Sequence, residues 1–419
     1  MNYTLSTKSK VIKGSIDLET SKSISNRLLI IRALCHQDFE IKNLSTANDT
    51  QTMLRLLAQT DDNTYDVGPA GTTFRFLTAY FTFREGTQIM TGSERMKQRP
   101  IGKLVEALRS LGANISYMEQ DGFPPLRIDS PSKNIDTNSI DIASDVSSQY
   151  ITALLMLAPT LPNGLIINLV GNIVSRPYIE MTLSLMAHFG IKSDWKDQTI
   201  SIAPQSYEAQ PISVEADWSA ASYYYAIAAL SDEADIYLGG LQANSLQGDA
   251  ALSDMMTTFG VETTFEAAGI RLRKSAEAKA EDTFEYDFLR CPDVAQTLAV
   301  ICGGLGVQGL FSGLETLKIK ETDRIAALQN ELAKMQVWLS ALPVRFSKKA
   351  NGDTYYMIEG KAEMPTSLHI ATYDDHRMAM AFAPLALLGE VEIEDAAVVG
   401  KSYPDFWKDL GTLGFKAKN

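Results

Sequence analysis

The sequence predicts an α/β protein assembled from about six repeats of one supersecondary block. Three observations carry that reading. First, VEALRSLGANISY, LSLMAHFGIKSDW, SDMMTTFGVETTF and FWKDLGTLGFKAK each run from an amphipathic helix through a Gly into a short alternating strand. The Gly stands where a helix C-terminus calls for a left-handed backbone that a Cβ disfavours. NELAKMQVWLS has the same outline without the Gly. Second, counting at Gly112, Gly190, Gly260, Met335 and Gly414 gives steps of roughly 70 to 80 residues, so the 419-residue chain holds about six blocks. The first block, around Leu54 to Val67, is irregular. Such a period exceeds that of solenoids and leaves room in each block for two helices and several strands. Third, no G-x-G-x-x-G follows a first strand, which removes the support for an open doubly wound sheet. A chain this long needs two or three domains.

Composition narrows the partners. The net charge of -13 argues against nucleic acid or an anionic membrane, which select basic surfaces. It leaves small anionic substrates open, because they respond to local charge. The most apolar stretch, Ile151 to Val170, is cut by Pro159, Pro162 and Asn163, so no membrane span is expected. The N-terminal MNYTLSTKSKVIKG lacks an apolar signal core. Cys35, Cys291 and Cys302 show no paired spacing and suit a reducing cytoplasm. With four scattered His and no CxxC, no zinc site is expected, and the protein reads as cytoplasmic and metal-free.

Taken in chain order, the helix starts are unusual. Helix N-termini favour acids, yet Ser21-Lys22-Ser23-Ile24-Ser25-Asn26-Arg27, Gln98-Arg99-Pro100, Ser175-Arg176-Pro177-Tyr178, Lys320-Glu321-Thr322-Asp323-Arg324 and Asp374-Asp375-His376-Arg377 all place cations there. One such start is an ordinary solvated side chain. Five, mixed with Ser, Thr and Asp caps, combine free N–H groups, hydroxyls and guanidinium groups into sites for phosphate and carboxylate. They point to one or two small polyanions held where helix N-termini converge. Gly68-Pro69-Ala70-Gly71-Thr72-Thr73-Phe74-Arg75 is a turn into a helix that lets backbone approach a ligand, or a merely structural turn. Ser147-Ser148-Gln149 offers two hydroxyls and an amide, or an ordinary N-cap. Asp293 is a helix cap or a base aimed at a hydroxyl, with the cap favoured by the sequence. Glu321 is a surface ion pair or, beside a phosphate, an acid or base. Cys291, with no paired His, reads as a packing residue.

TSKSISNR, PAGTTFR, TGSERMKQRPIG, SDVSSQYITALLM, VSRPYIEMTLSLM, LKIKETDRIAAL, YDDHRMAMAFAPLAL and VGKSYPDFWKDL follow one another in an order and spacing that resembles the 5-enolpyruvylshikimate-3-phosphate synthases, within the enolpyruvyl transferases. The likeness runs from about residue 11 to 417. It implies two similar domains, each of three βαβαββ units in an inside-out α/β barrel, hinged around a central cleft by two crossing strands. The first domain would span 21–213, on the shikimate 3-phosphate side, and the second 1–20 with 214–419. Closure would trap substrates and exclude water.

The resemblance also implies an activity: enolpyruvyl transfer from phosphoenolpyruvate to the 5-hydroxyl of shikimate 3-phosphate by addition and elimination, in the shikimate pathway to aromatic amino acids. Shikimate 3-phosphate would be held by Lys22, Ser23, Arg27, Ser147, Ser148, Gln149, Ser175, Tyr178, Asp293, Thr316 and Lys320. Phosphoenolpyruvate would be held by Lys22, Gly71, Arg99, Gln149, Arg324, Arg377 and Lys401. The catalytic groups would be Lys22, Asp293, Glu321 and His376, with no metal, no cofactor and a monomeric chain. Three departures stand out. Pro69 replaces an Asn and removes a polar contact, Thr316 replaces an Asn, and Glu19-Thr20 replaces a Pro-Gly next to the expected hinge. Retained Gly71 leaves room for glyphosate, so sensitivity is expected. A UDP-N-acetylglucosamine enolpyruvyl transferase would need a functional loop Cys, and none lies between Cys35 and Cys291. A non-catalytic shikimate 3-phosphate sensor would not need Glu321. An RNA-end-processing relative would need a basic stripe.

Overall fold

The computed structural model describes residues 1–131, 137–144, 147–343, 345 and 354–419. The chain divides into two compact units, Ser21–Val214 and Met1–Thr20 with Glu215–Asn419. In the first, the helices Lys22–Leu34, Gly71–Phe81 and Ser148–Leu157 pack on one another. In the second, the helices Trp218–Leu230, Ala295–Leu305 and His376–Phe382 do the same. Their sequences explain their place. WSAASYYYAIAAL is apolar on every face and buried at every residue except Ser219, the pattern of a helix surrounded by protein. Where polar residues enter these helices they bond locally: Thr78 and Thr82 donate to the carbonyls of Phe74 and Thr78, at 2.8 and 2.7 Å.

Each regular block carries a four-stranded sheet with one parallel pair and two antiparallel pairings. In the Ser21–Val214 unit, Thr64–Asp66 runs parallel to Thr87–Thr91, which pairs with Leu126–Asp129 and through it Asn114–Tyr117. Ser139–Ala143, Leu165–Val170, Thr199–Ile202 and Asp194–Lys196 repeat the order. A parallel pair requires a long crossover, and a buried helix supplies it each time. The irregular block is a two-stranded sheet, Ile41–Lys42 with Ile212–Ser213. There the helix Asn48–Leu57 leads directly into Thr64–Asp66 of the next sheet, without a hairpin. In the other unit the N-terminal segment serves two sheets. Val11–Asp17 pairs in parallel with Glu233–Gly239, while Tyr3–Ser6 lies between Val391–Ile393 and Lys416–Lys418.

The Gly ends behave as the outline predicts: Gly112, Gly190, Gly260 and Gly414 have φ of 93°, 84°, 75° and 89°. In the block without Gly, the left-handed residue is Gln336 at φ 59°, one position after the Met335 used for counting. A side chain there is tolerated at a cost of about 1–2 kcal/mol. Among the described residues no helix is long and apolar enough to cross a membrane. Ile151–Val170 is instead split between a helix end, a 3₁₀ turn and a strand.

Candidate active site

In the Ser21–Val214 unit, the N-termini of the buried helices are tied together by short polar links. Lys22, in the first turn of its helix, pairs with Asp49 at 3.0 Å. Thr73 donates to the Asp49 carbonyl at 3.1 Å, and Gln149 donates to Thr72 at 3.2 Å. Ser147 is the N-cap, its hydroxyl accepting from the Gln149 N–H at 3.3 Å, with Ser148 buried beside it. Gly71 opens its helix against two guanidinium groups: an added Cβ would stand 2.5 Å from Arg99 Nη1 and 2.9 Å from Arg75 Nη1. Both arginines are buried, and an added side chain at Gly71 would have to displace their guanidinium groups.

Arg27 lies deeper. It donates to Thr182 Oγ1 at 2.8 Å, to the Ser23 carbonyl at 2.8 Å, and to Thr152 Oγ1 and the Tyr178 carbonyl at 3.4 Å each. Burial, partly offset by Tyr178, lowers its guanidinium to about 10, still charged at neutral pH. Four of its five N–H groups therefore hold protein atoms. Ser175 takes a left-handed backbone, φ 54°, before the helix Arg176–His188.

The other unit carries a denser network, with Arg324 at its centre and 1% exposed. It donates to Asp375 at 2.7 Å, Asp293 at 3.0 Å and Glu321 at 2.8 Å. Burial disfavours its charge, but Asp375, Glu321 and Asp293 more than restore it and raise its pKa. Asp293 also faces Lys320 at 3.4 Å and Arg377 at 3.2 Å. Burial pushes its carboxyl up, and Arg377, Lys320 and Arg324 outweigh that and hold it well below the ordinary range. The favoured cap reading of Asp293 is thus corrected: the helix Ala295–Leu305 takes no side-chain cap, and the carboxylate turns to three cations instead. His376, 2% exposed, sits with Nδ1 3.7 Å from Asp375 Oδ1. Lys401 donates to the Asp374 carbonyl at 2.6 Å. Thr316 is buried in the 3₁₀ turn Glu315–Ile319 that leads into Lys320, and its hydroxyl has no hydrogen-bond partner among the described residues. Cys291 is buried and its thiol, raised first by burial and then by Asp249, is pushed up to about 12, the state of a packing residue. At the altered positions Glu19 and Thr20, Thr20 bridges Ala216 and the Glu19 carbonyl accepts from Asp217 N–H.

The family described as EPSP synthase (3-phosphoshikimate 1-carboxyvinyltransferase) matches residues 6–61 and 57–410. This chain belongs to the EPSP synthase family. A 3-phosphoshikimate 1-carboxyvinyltransferase of Bacteroides fragilis is 47% identical over 421 residues, covering 100% of this chain and 99% of that protein. One from Cellvibrio japonicus is 36% identical over 94% of this chain and 95% of its own length. In fold, the chain is similar to the EPSP synthase structure from Acinetobacter baumannii, with a TM-score of 0.75, 19% identity and 100% of both chains covered.

Against that family background, the residues missed by sequence reading are acids and one hydroxyl: Asp49, Ser219, Asp249 and Asp375. Each occupies the start of a helix or 3₁₀ turn, where an acid or hydroxyl looks like an ordinary cap. Asp375 is a cap, accepting from Arg377 N–H at 2.9 Å, and also grips Arg324. Ser219 accepts from Arg377 at 3.3 Å and donates to Asp249. Asp249 is 4% exposed, and its Oδ1 has no partner among the described residues. Burial and the nearby Asp293 charge raise its carboxyl to about 7 against the pull of Arg377 and Ser219. The one available signal was density of acids: Asp217, Asp249, Asp293, Glu321 and Asp375 are more than helix capping requires. Among the described residues no group of three or more His, Cys, Asp or Glu is placed to hold a metal ion.

Proposed function

We infer that this chain transfers the enolpyruvyl group of phosphoenolpyruvate to the 5-hydroxyl of shikimate 3-phosphate, releasing inorganic phosphate. Family membership over the whole chain carries the reading, and the two clusters give it chemistry. Phosphate and carboxylate groups suit the Ser147–Ser148–Gln149 turn, Lys22, Arg99 and Ser175, which combine N–H donors, hydroxyls and positive charge. The ring hydroxyls suit Asp293 and Lys320, with Thr316 beside them in the assignment. Phosphoenolpyruvate suits Lys22, Gly71, Arg99, Arg324, Arg377 and Lys401, whose charges offset the repulsion between two anions.

In the addition step, the 5-hydroxyl oxygen bonds to C2 of phosphoenolpyruvate as its proton leaves and C3 gains one. The product is a tetrahedral ketal phosphate. Elimination removes a C3 proton, re-forms the C2–C3 double bond and expels phosphate. Asp293 is the acceptor for the hydroxyl proton, and Glu321, Lys22 and His376 serve the methylene carbon and its neighbours. A carboxylate held ionised by three cations is a weak base. Each cation that a substrate anion draws away raises its basicity, so substrate binding itself activates Asp293. The chain is read as a cytoplasmic monomer.

The test is inorganic phosphate release with shikimate 3-phosphate and phosphoenolpyruvate supplied together and singly, with Asp293→Asn as control. Release that requires both and collapses in the control is expected; no release from the unaltered chain defeats the reading. Glyphosate is expected to inhibit in competition with phosphoenolpyruvate despite Pro69.

A further inference from the structure

Glu331 is a buried carboxylate outside every role assigned above, 1% exposed on the helix Arg324–Ala333. Its Oε1 accepts from the Tyr373 hydroxyl at 2.7 Å, and its Oε2 accepts from Ala371 N–H at 3.1 Å and Lys334 Nζ at 2.7 Å. Lys334 also donates to the His369 carbonyl at 2.8 Å. The same helix begins with Arg324, which grips Asp375. Residues 324 and 331 are two turns apart, so they lie on one face about 10 Å from each other along the axis. The segment from Ala371 to Asp375 is therefore clamped at both ends to a single helix.

What lies between the clamps is an unfavourable backbone. Tyr373 and Asp374 are consecutive non-glycine residues with φ of 54° and 55°, a conformation that persists only where its surroundings impose it. Its consequences fall in the charged network. It presents the Asp374 carbonyl to Lys401, and it sets Asp375 to cap Arg377 and hold Arg324. Burial and the Glu331 bond raise the Tyr373 phenol, which keeps it a proton-bearing donor.

We propose that Glu331, acting through Tyr373, is a positioning residue that imposes the left-handed Tyr373–Asp374 turn and thereby places Lys401 and Arg377 for phosphoenolpyruvate. The proposal rests on the transferase reading for its ligand but on the clamp for its geometry. Removing one arm of the clamp lets the turn relax toward ordinary backbone, and the two cations lose their fixed carbonyl and cap.

Two variants of the full chain test it. Tyr373→Phe deletes only the hydroxyl of a half-exposed side chain and keeps the protein folded if Glu331→Gln does not. Tyr373→Phe is expected to speed amide exchange at Asp375 and Arg377 about tenfold and to raise the KM for phosphoenolpyruvate about tenfold. The KM for shikimate 3-phosphate should stay within about twofold, and Glu331→Gln should exceed Tyr373→Phe in both readouts. Unchanged exchange at those amides overturns the proposal whatever activity does. Faster exchange with an unchanged KM for phosphoenolpyruvate also overturns it, since Glu331 would then serve stability alone. If the unaltered chain releases no phosphate, the transferase reading falls, and the exchange measurement still decides whether the clamp exists.

Discussion

The two units bury three helices each, yet they furnish the helix N-termini in opposite ways. In Ser21–Val214 the caps are hydroxyls, Ser21 and Ser147, and the cations Arg27 and Arg75 donate to hydroxyls and carbonyls. Lys22 there pairs with Asp49. In the other unit the caps are Asp217, Asp323 and Asp375, and Arg324, Arg377 and Lys320 are shared among Asp293, Glu321 and Asp375. The first cluster gathers hydroxyls, N–H groups and guanidinium groups and suits anion binding. The second is balanced internally and suits proton transfer, because a carboxylate among cations changes basicity whenever one of them is drawn off. Where the caps are neutral a helix end remains an anion receptor, and where they are charged it becomes part of an acid–base network.

Four experiments break or sharpen this contrast. The largest effect is expected from Asp293→Asn, which should lower kcat by about 10²- to 10⁴-fold with the KM for shikimate 3-phosphate changed far less. If kcat survives, the chemistry does not belong to the balanced cluster. Next, Arg324→Met leaves buried carboxylates without their partner and should destabilise the chain by ~3–5 kcal/mol in urea unfolding. Arg27→Met, which strands only hydroxyls and carbonyls, should lose about 1–3 kcal/mol. Equal losses would erase the distinction between the clusters.

Stability against pH is the third measurement. Asp249 has a folded-state value of about 7, above the ordinary carboxyl value of 3.8, so the folded chain holds this proton more tightly than the unfolded one. Its contribution is full below about pH 4 and is lost as pH rises toward 7. Asp249→Asn should remove that loss, on the order of 2–4 kcal/mol, giving a variant whose advantage over the unaltered chain grows across that window. Asp293, depressed, acts with the opposite sign and loses its stabilisation as pH falls. A flat difference between Asp249→Asn and the unaltered chain would place no titrating proton on Asp249. The smallest effect is Gly71→Ala. The added Cβ must displace Arg99 and Arg75 and should raise the KM for phosphoenolpyruvate about tenfold, ~1.4 kcal/mol, without a matching rise for shikimate 3-phosphate.

Much of this architecture is written locally and was legible. The Gly at each helix end, the alternating strand after it and the cation-bearing helix starts depend only on a residue and its near neighbours along the chain. From them came the count of blocks, the α/β class and the polyanion reading, and the spacing of KETDR, DHRMAMA and SSQ pointed to the family. The left-handed residue of the block without Gly, Gln336, was not legible, because it carries no local mark of its backbone.

The sequence by itself determined where helices start and stop, which helices are buried, and which segments carry charge, since capping, periodicity and glycine conformation act over a few residues. Only the tertiary structure decided which charges meet. Arg324 joins Asp375 across 51 positions and Asp293 across 31, and Ser219 reaches Arg377 across 158. Coulomb and hydrogen-bond energies depend on distances of a few ångströms, and helix packing sets those distances. That is why Asp293 read as a cap along the chain and stands in the fold as an ionised acceptor among three cations.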